Sequence, residues 1–300
     1  MPKVSICIPT FNNAAVIGDA LRSAIAQDYE NLEVVVIDNH SDDDTEQVVA
    51  RVAAGDARIR YIRHSENIGM ARNFSACVSF ARGEYIKLLC ADDALDPGCV
   101  GAMMKILEKH ADVTLVGCAR QLTDERLFPR GVAQARTQLS KIAGQEMIKE
   151  CFFWGNRIGE PTAVMFRRVD AQRGFDDRYS QLVDLEMWFR LLQHGEFFFL
   201  PERLCSIRQH AKQATQENLQ QGRIVEDKCR LFRDFASALA DSASFVQKCL
   251  WDGRMALSLA RAKSVGKLVD PQSIGEVFFP KIFTYLMWPA VKMLVHLGFI

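Results

Sequence analysis

The chain has 300 residues, 49% of them hydrophobic and 25% charged, a globular composition that excludes collagen-like, low-complexity and intrinsically disordered classes. Its 37 Lys and Arg balance 37 Asp and Glu, so no net charge is available to hold a polyanion and nucleic acid is not an expected partner. The length suits one large domain or two unequal ones.

Nine cysteines are scattered along the chain with no C-x-x-C pair, which fits neither a disulfide framework nor a zinc knuckle. They read as buried free thiols in a reducing compartment. The N-terminus, MPKVSICIPTF, enters an apolar run with no basic leader before it, so no export signal is expected and the location reads as cytoplasmic.

Val4–Pro9 reads as a strand. Ala14–Gln27 places Val16, Ile17, Ala20, Leu21 and Ala24 at helical spacing. Leu32–Ile37 is a nearly continuous β-branched run, as in a strand covered on both faces. Asp43–Ala54 reads as a helix, Ile59–Ile62 as a strand, Ile68–Ala81 as a helix and Tyr85–Leu89 as a strand. Asp96-Pro97 has the form of an N-cap followed by Pro, opening a helix to about His110. Val113–Cys118 is the next strand. This alternation predicts an α/β fold, a mainly parallel sheet with helices on both faces.

After Ala119 the rhythm weakens. Gln121–Gln138 has little periodicity and reads as a surface excursion. Thr162–Phe166 is a strand candidate, Val183–Gln193 a helix, and Phe197–Leu200 a short strand before Pro201. From Gln216 to Lys263 the pattern is helical. A boundary near residue 215 divides an α/β domain, 1–215, from a C-terminal helical extension, 216–300.

In open α/β sheets, ligands bind beyond the carboxyl ends of the strands. Polar residues gather at four such ends: Pro9-Thr10-Phe11-Asn12-Asn13, Asp38-Asn39-His40-Ser41-Asp42-Asp43-Asp44-Thr45, Asn67 to Asn73, and Cys90-Ala91-Asp92-Asp93. Adjacent acids at the end of a buried strand repel each other and resist desolvation, and a divalent cation offsets both. Plainer roles exist for each piece: Asp42 and Asp44 as helix caps, Asp92-Asp93 as a solvated turn, Arg72 as an exposed helix residue, Asn12 and Asn67 as turn residues. A G-x-G-x-x-G turn and a G-x-x-x-x-G-K-[ST] loop are both missing, so a dinucleotide dehydrogenase or P-loop NTPase is unsupported.

The segments VSICIPTFNN, VVVIDNHSDDDT, ENIGMARNFS and YIKLLCADDALDP, in this order and spacing, resemble family 2 glycosyltransferases of the GT-A fold, of the bacterial polysaccharide or lipopolysaccharide type. The later GFDDRYSQLVDLEMWFRLLQHG and LPERLCSIRQH resemble the acceptor-side half of that family. The resemblance covers residues 3 to 215, with a donor half at 1–118 and an acceptor half at 119–215.

It implies inverting transfer of a sugar from a nucleotide diphosphate donor to a hydroxyl of a glycan or lipid-linked acceptor, with Mn²⁺ or Mg²⁺. Thr10 and Asp38 would contact the nucleoside, and Arg72 the base or a phosphate. Pro9, Asn12 and Asn67 would line the donor site with them. Asp92 and Asp93 would form the DXD-like element, touching ribose and metal. Arg208 and His210 match an Arg-x-His element near the diphosphate, where His210 would complete the metal shell. Asp184 matches the general base. Two positions depart from the pattern: Cys90 stands where a first acid is common, and Val183 replaces the Glu before the base.

Without the resemblance, Asp184 reads as an N-cap before it reads as a base, Trp188 and Phe189 read as core, and Glu186 as structural. The tail 276–300 has no uncharged, proline-free run long enough to span a bilayer, which needs roughly 20 apolar residues. It suits a helix lying in the cytoplasmic leaflet, with six basic residues against three acidic ones from Trp251 onward; packing on protein is the alternative. Two other functions stay open, a non-catalytic nucleotide-sugar-binding or membrane scaffold protein and a sugar nucleotidyltransferase.

Overall fold

The computed structural model describes residues 1–210 and most of 223–255. The tail at 276–300 and most of the helical pattern beyond Ala240 lie outside the described residues. Two compact units are present. The first comprises Met1–Met147, Arg157–Asp177 and Met187–His210. The second comprises Ile148–Asn156, Arg178–Glu186 and the described part of Ala211–Ile300.

The first unit is built on one mixed sheet. Its N-terminal part alternates β1 (Val4–Thr10), α1 (Ile17–Ile25), β2 (Leu32–Asp38), α2 (Thr45–Ala53), β3 (Ile59–Arg63), α3 (Met70–Phe80) and β4 (Tyr85–Leu88). Strands β3, β2, β1 and β4 lie side by side and parallel. Every residue of β1 and β2 is buried, as the continuous apolar runs require of strands covered on both faces. The register pairs Thr10 with Asp38, so the carboxyl ends of these strands share one rim.

The rest of the sheet is mixed rather than parallel. A short β5 (Ala94–Leu95) leads through Asp96 into α4 (Cys99–Lys109), with Asp96 Oδ1 accepting from the Gly98 amide just ahead of the helix. Then come β6 (Val113–Thr123), β7 (Pro129–Ala133) and β8 (Ser140–Ile142), followed by α5 (Gly144–Trp154), β9 (Val164–Arg167), α6 (Val183–Leu192) and β10 (Glu196–Arg208). Strand β9 runs antiparallel to both β4 and β6, and β10 runs parallel to β6.

The short strands β5 and β8 are additional to the sequence reading, and α4 opens at Cys99 rather than at Pro97; three larger differences follow. The segment after Gln121 is no irregular excursion: β6 continues to Thr123 and pairs with β7 as a hairpin. Strand β7 is largely exposed and so lacks the alternation that marks a half-buried strand. Pro201 does not end the last strand. Register shifts between Leu200 and Cys205 absorb it, and β10 runs on to Arg208, as bulges allow. Helix α5 is additional. It opens on Gly144, where a Cβ would collide with the carbonyl oxygens of Leu192 and Gly195.

Ile17, Ala20, Leu21 and Ala24 of α1 and Val100, Met103, Met104 and Leu107 of α4 join β1 and β2 residues in one apolar core. Trp188 and Phe189 are fully buried, with the Trp188 ring 5.7 Å from Phe166, the core role expected of them. Among the described residues, which include all nine cysteines, no disulfide is formed. Among the described residues no helix is long and apolar enough to cross a membrane.

One buried charge ties the base of the sheet together. Glu33 on β2 accepts from Ser5 Oγ at 2.6 Å, Arg60 Nη1 at 2.6 Å and the Arg82 amide at 2.7 Å. Burial alone would raise its carboxyl; these three donors outweigh that and hold it below the usual carboxylate range. Its folded value lies below its unfolded one, so its stabilisation is present at neutral pH and lost as pH falls through the folded value. Glu33→Gln is expected to cost about 2 kcal/mol at pH 7, where charged-group hydrogen bonds are lost. Urea melts of both proteins should converge as the pH falls through the folded value of Glu33. A gap that stays constant with pH would rule the charge out as its source.

The second unit is held by aromatic and acidic contacts around α7 (Arg223–Ala240). Phe152 stacks on Trp251 with centroids 4.2 Å apart, and Phe232 lies 5.6 Å from the same indole.

Candidate functional site

The rim formed by β1, β2 and β4 carries most of the residues singled out in the sequence. Beyond β1 the chain turns sharply at Asn12, whose φ of 55° is left-handed. The Asn12 amide donates to Ser41 Oγ at 2.9 Å, and its side-chain oxygen accepts from the Asp42 amide at 2.9 Å. The loops after β1 and β2 are thus locked together. Pro9 and Thr10 are buried at the base of this junction, with Thr10 Oγ1 accepting from Asn13 at 3.3 Å.

Asp38 is fully buried. Its Oδ1 accepts from both the amide and the hydroxyl of Ser41, at 2.9 and 2.6 Å, and its Oδ2 accepts from the Tyr61 hydroxyl. Burial, then this bond to Asp38, pushes the Tyr61 phenol up, so it remains a donor. The carboxylate therefore shapes the loop that follows β2 and does not face solvent.

Asn67 sits after β3. Its Oδ1 accepts from Asn39 at 2.8 Å and from the Gly69 amide at 2.9 Å, and Asn39 in return accepts from the Ile68 amide. Gly69, at φ 85°, provides the left-handed step into α3. Arg72 on α3 is two-thirds exposed and pairs with Asp177 at 2.9 Å. Behind it Asn73, buried, donates to the Ile37 carbonyl at 3.1 Å and pins the end of β2.

The acidic turn after β4 has two faces. Asp93 points inward: its Oδ1 accepts from the Arg208 amide at 3.0 Å and its Oδ2 from Thr162 Oγ1 at 2.5 Å. Burial, reinforced by the neighbouring charge of Asp92, pushes its carboxyl well above the usual range. Asp92 points outward, partly exposed, with Oδ2 3.0 Å from His210 Nε2. The Cys90 thiol and the two carboxylates lie within 4.8 Å of one another, close enough to share a cation. Carboxylate, imidazole and thiol donors suit a divalent first-row ion.

Arg208, predicted beside a diphosphate, has a guanidinium that is only 4% exposed. Nε donates to the Asp92 carbonyl at 2.7 Å, Nη2 to Asp19 at 2.7 Å and Nη1 to the Glu125 carbonyl. Burial works to raise the Asp19 carboxyl, and its bonds to Arg208 and Arg22 more than reverse this. Arg208 thus holds the acidic turn at two points, its amide on Asp93 and its Nε on the Asp92 carbonyl, and ties it to α1 and to the loop after β6.

Two residues in this network carried no sequence signal. Thr162 lies on a 3₁₀ turn before β9, donating to Asp93 and accepting the Cys90 amide at 2.9 Å. Its own carbonyl accepts from Lys87 Nζ, a fully buried ammonium on β4 that also reaches the Val164 carbonyl at 3.2 Å. Thr162 reaches Asp93 across 69 residues of chain and Lys87 reaches Thr162 across 75, spans that no local motif encodes.

Asp184 belongs to the second unit, in the first turn of α6. Its Oδ1 accepts from the Leu185 amide at 2.8 Å. Glu186 is buried.

A sequence profile described as glycosyl transferase family 2 matches residues 5–175. An uncharacterized protein of Mycobacterium tuberculosis is 34% identical over 220 residues, 70% of this chain and 67% of that protein. The GalNAc(5)-diNAcBac-PP-undecaprenol beta-1,3-glucosyltransferase of Campylobacter jejuni is 35% identical over 207 residues, 66% of this chain and 62% of that protein. Among solved structures, S. aureus TarS in complex with UDP-GlcNAc superposes with a TM-score of 0.64 at 15% identity, covering 99% of this chain and 92% of that one. The mannosyltransferase PcManGT from Pyrobaculum calidifontis, in complex with GDP-Man and Mn²⁺, gives 0.62 at 19% identity, covering 97% and 84%. At these identities the structural likeness is one of fold.

Proposed function

The chain belongs to glycosyl transferase family 2, and from that premise we propose that it is an inverting, cation-dependent glycosyltransferase of surface-polysaccharide synthesis. The donor is a nucleotide diphosphate sugar and the acceptor a hydroxyl of a glycan or lipid-linked glycan. The observation that carries this reading is the acidic turn, with Asp92 presented beside His210 while Asp93 is anchored from both sides.

Asp92 and His210 would hold the cation, with Asp93 fixing the turn behind them. A mixed oxygen and nitrogen donor set favours Mn²⁺ over Mg²⁺, which keeps to oxygen ligands. When bound, the cation offsets charge growing on the departing nucleoside diphosphate. Pro9, Thr10, Asn12 and Asn67 would form the nucleoside side of the rim, and the exposed Arg72 would reach the base or a phosphate. Asp38 and Arg208 contribute through the loop and turn they shape, because their charged groups are buried within them. Asp184 would accept the proton of the attacking hydroxyl.

The relative from Campylobacter, by its name, acts on an undecaprenol-linked glycan, which supports a lipid-linked acceptor and a position at a membrane surface. The test is release of nucleoside diphosphate from a panel of UDP- and GDP-sugars, with Mn²⁺ or with EDTA, in the presence of a lipid-linked glycan fraction. Release that needs Mn²⁺ and moves sugar into the lipid fraction is the expected outcome. Binding without turnover of any donor would leave a nucleotide-sugar-binding scaffold instead, and full activity in EDTA would remove the cation.

A further inference from the structure

The chain just before α6 is held by a residue that lies in the C-terminal helix α7. Three consecutive backbone amides, those of Ser180, Gln181 and Leu182, all donate to Asp227. The Ser180 and Leu182 bonds are both 2.9 Å. Asp227 is fully buried, and Arg230, one turn on, pairs with it at 3.5 Å.

Consecutive amides aimed at one point make a nest for an anion, and here the anion is supplied from 45 residues away. Leu182 is also the residue whose carbonyl accepts the first α6 hydrogen bond, from the Glu186 amide at 3.0 Å. Fixing the Leu182 amide therefore fixes the entry into the helix, two residues before Asp184.

A second contact runs parallel. Asp234, two turns along α7 from Asp227, accepts from the Tyr179 hydroxyl at 2.9 Å and from Arg178 at 3.1 Å. Tyr179 is buried, and burial together with that bond pushes its phenol up, so it stays a donor. Two carboxylates on one helix thus clamp residues 178–182.

We propose that Asp227 is a positioning residue for Asp184, and that α7 is thereby part of the acceptor-side machinery rather than an appended tail. The proposal rests on the assignment of Asp184 as general base. Small displacements of a reacting group far from the mutated atom cost on the order of 10²-fold in rate. A loosened entry into α6 should act at that level on the chemical step while leaving the donor-binding rim of the first unit untouched.

The experiment compares Asp227→Asn, Asp227→Glu and Asp184→Asn with the wild type in the full-length protein. Affinity for UDP or GDP, whichever stabilises the wild type, is measured with Mn²⁺ by calorimetry. Chemistry is read as nucleoside diphosphate release in single turnovers. D227N is expected to keep nucleotide affinity within about twofold and to lose about 10²-fold in the single-turnover rate, following D184N in kind. D227E, which keeps the charge, should recover part of that loss.

An unchanged rate in folded D227N overturns the proposal, as does a nucleotide affinity that falls with the rate. If D227N does not fold, D227E is judged by the same two criteria. If D184N keeps full turnover, the base assignment itself fails, an outcome distinct from a silent D227N.

Discussion

Asp92→Asn is expected to lower sugar transfer on the order of 10²–10³-fold while leaving the protein as stable as the wild type. The side chain is partly exposed, so removing its charge strands no buried donor. What is lost is the carboxylate beside His210 Nε2, one of the two groups placed to hold a cation. Loss of a charge-stabilising group at the reacting centre costs roughly 10²–10³ in turnover. Affinity for Mn²⁺, read by electron paramagnetic resonance of the free ion, should fall by about 10-fold or more.

Asp93→Asn should behave in the opposite way. In the ionised form that a bound cation would favour, its two oxygens accept from Thr162 and from the Arg208 amide, and an amide cannot accept at both ends. A buried donor is then left unmatched at a cost of about 2 kcal/mol, visible first as a lower melting temperature. The adjacent acids, equivalent in sequence, are thereby separated into an exposed ligand and a buried anchor. A stable D93N protein that has lost Mn²⁺, set against a D92N protein that binds it normally, would exchange the two roles.

The parallel half of the fold was legible because its strands are buried on both faces. Leu32–Ile37 can be nothing but a covered strand, and the observed β2 exceeds it by one residue. Past β6 the physics became less local. Pro201 normally stops a strand, yet bulges carry β10 through it to Arg208, so the residue that grips the acidic turn sits on a strand that outlasts its proline. Helix α5 did have a signal, Met147, Ile148, Cys151 and Phe152 at helical spacing, all of them buried. A glycine at its start masked the onset.

The acidic turn was visible as two acids ending an apolar strand, a costly arrangement that needs compensation. The groups that compensate were not visible. Thr162, Lys87 and Asp227 are ordinary residues in ordinary surroundings along the chain, and only folding makes Thr162 a partner of Asp93, Lys87 of Thr162 and Asp227 of residues 180–182. Asp38 and Arg208 show the converse. The residue types were conspicuous, but their charged groups are turned into the protein, where they support the loops that a donor would meet.

Asp184→Asn tests the other half of the reaction. A general base contributes about 10²–10⁴-fold, so transfer should fall by that factor while nucleotide affinity in the presence of Mn²⁺ stays at the wild-type value. The split is informative because the residue has a second, purely structural use. Its Oδ1 accepts from the Leu185 amide in the first turn of α6, and an asparagine oxygen can do the same. Asn thus preserves the local hydrogen bond and removes the basicity, which a change to Ala would confound. The pH profile adds a check independent of magnitude: a rate limited by one ionised base rises with pH and then levels, and that ascending limb should vanish in D184N. A variant that retains the limb and most of its rate would return Asp184 to a capping role and send the search for the base elsewhere in the second unit. A variant that loses nucleotide affinity in step with rate would mean the substitution had disturbed the donor side, and the acceptor-side assignment would fall with it.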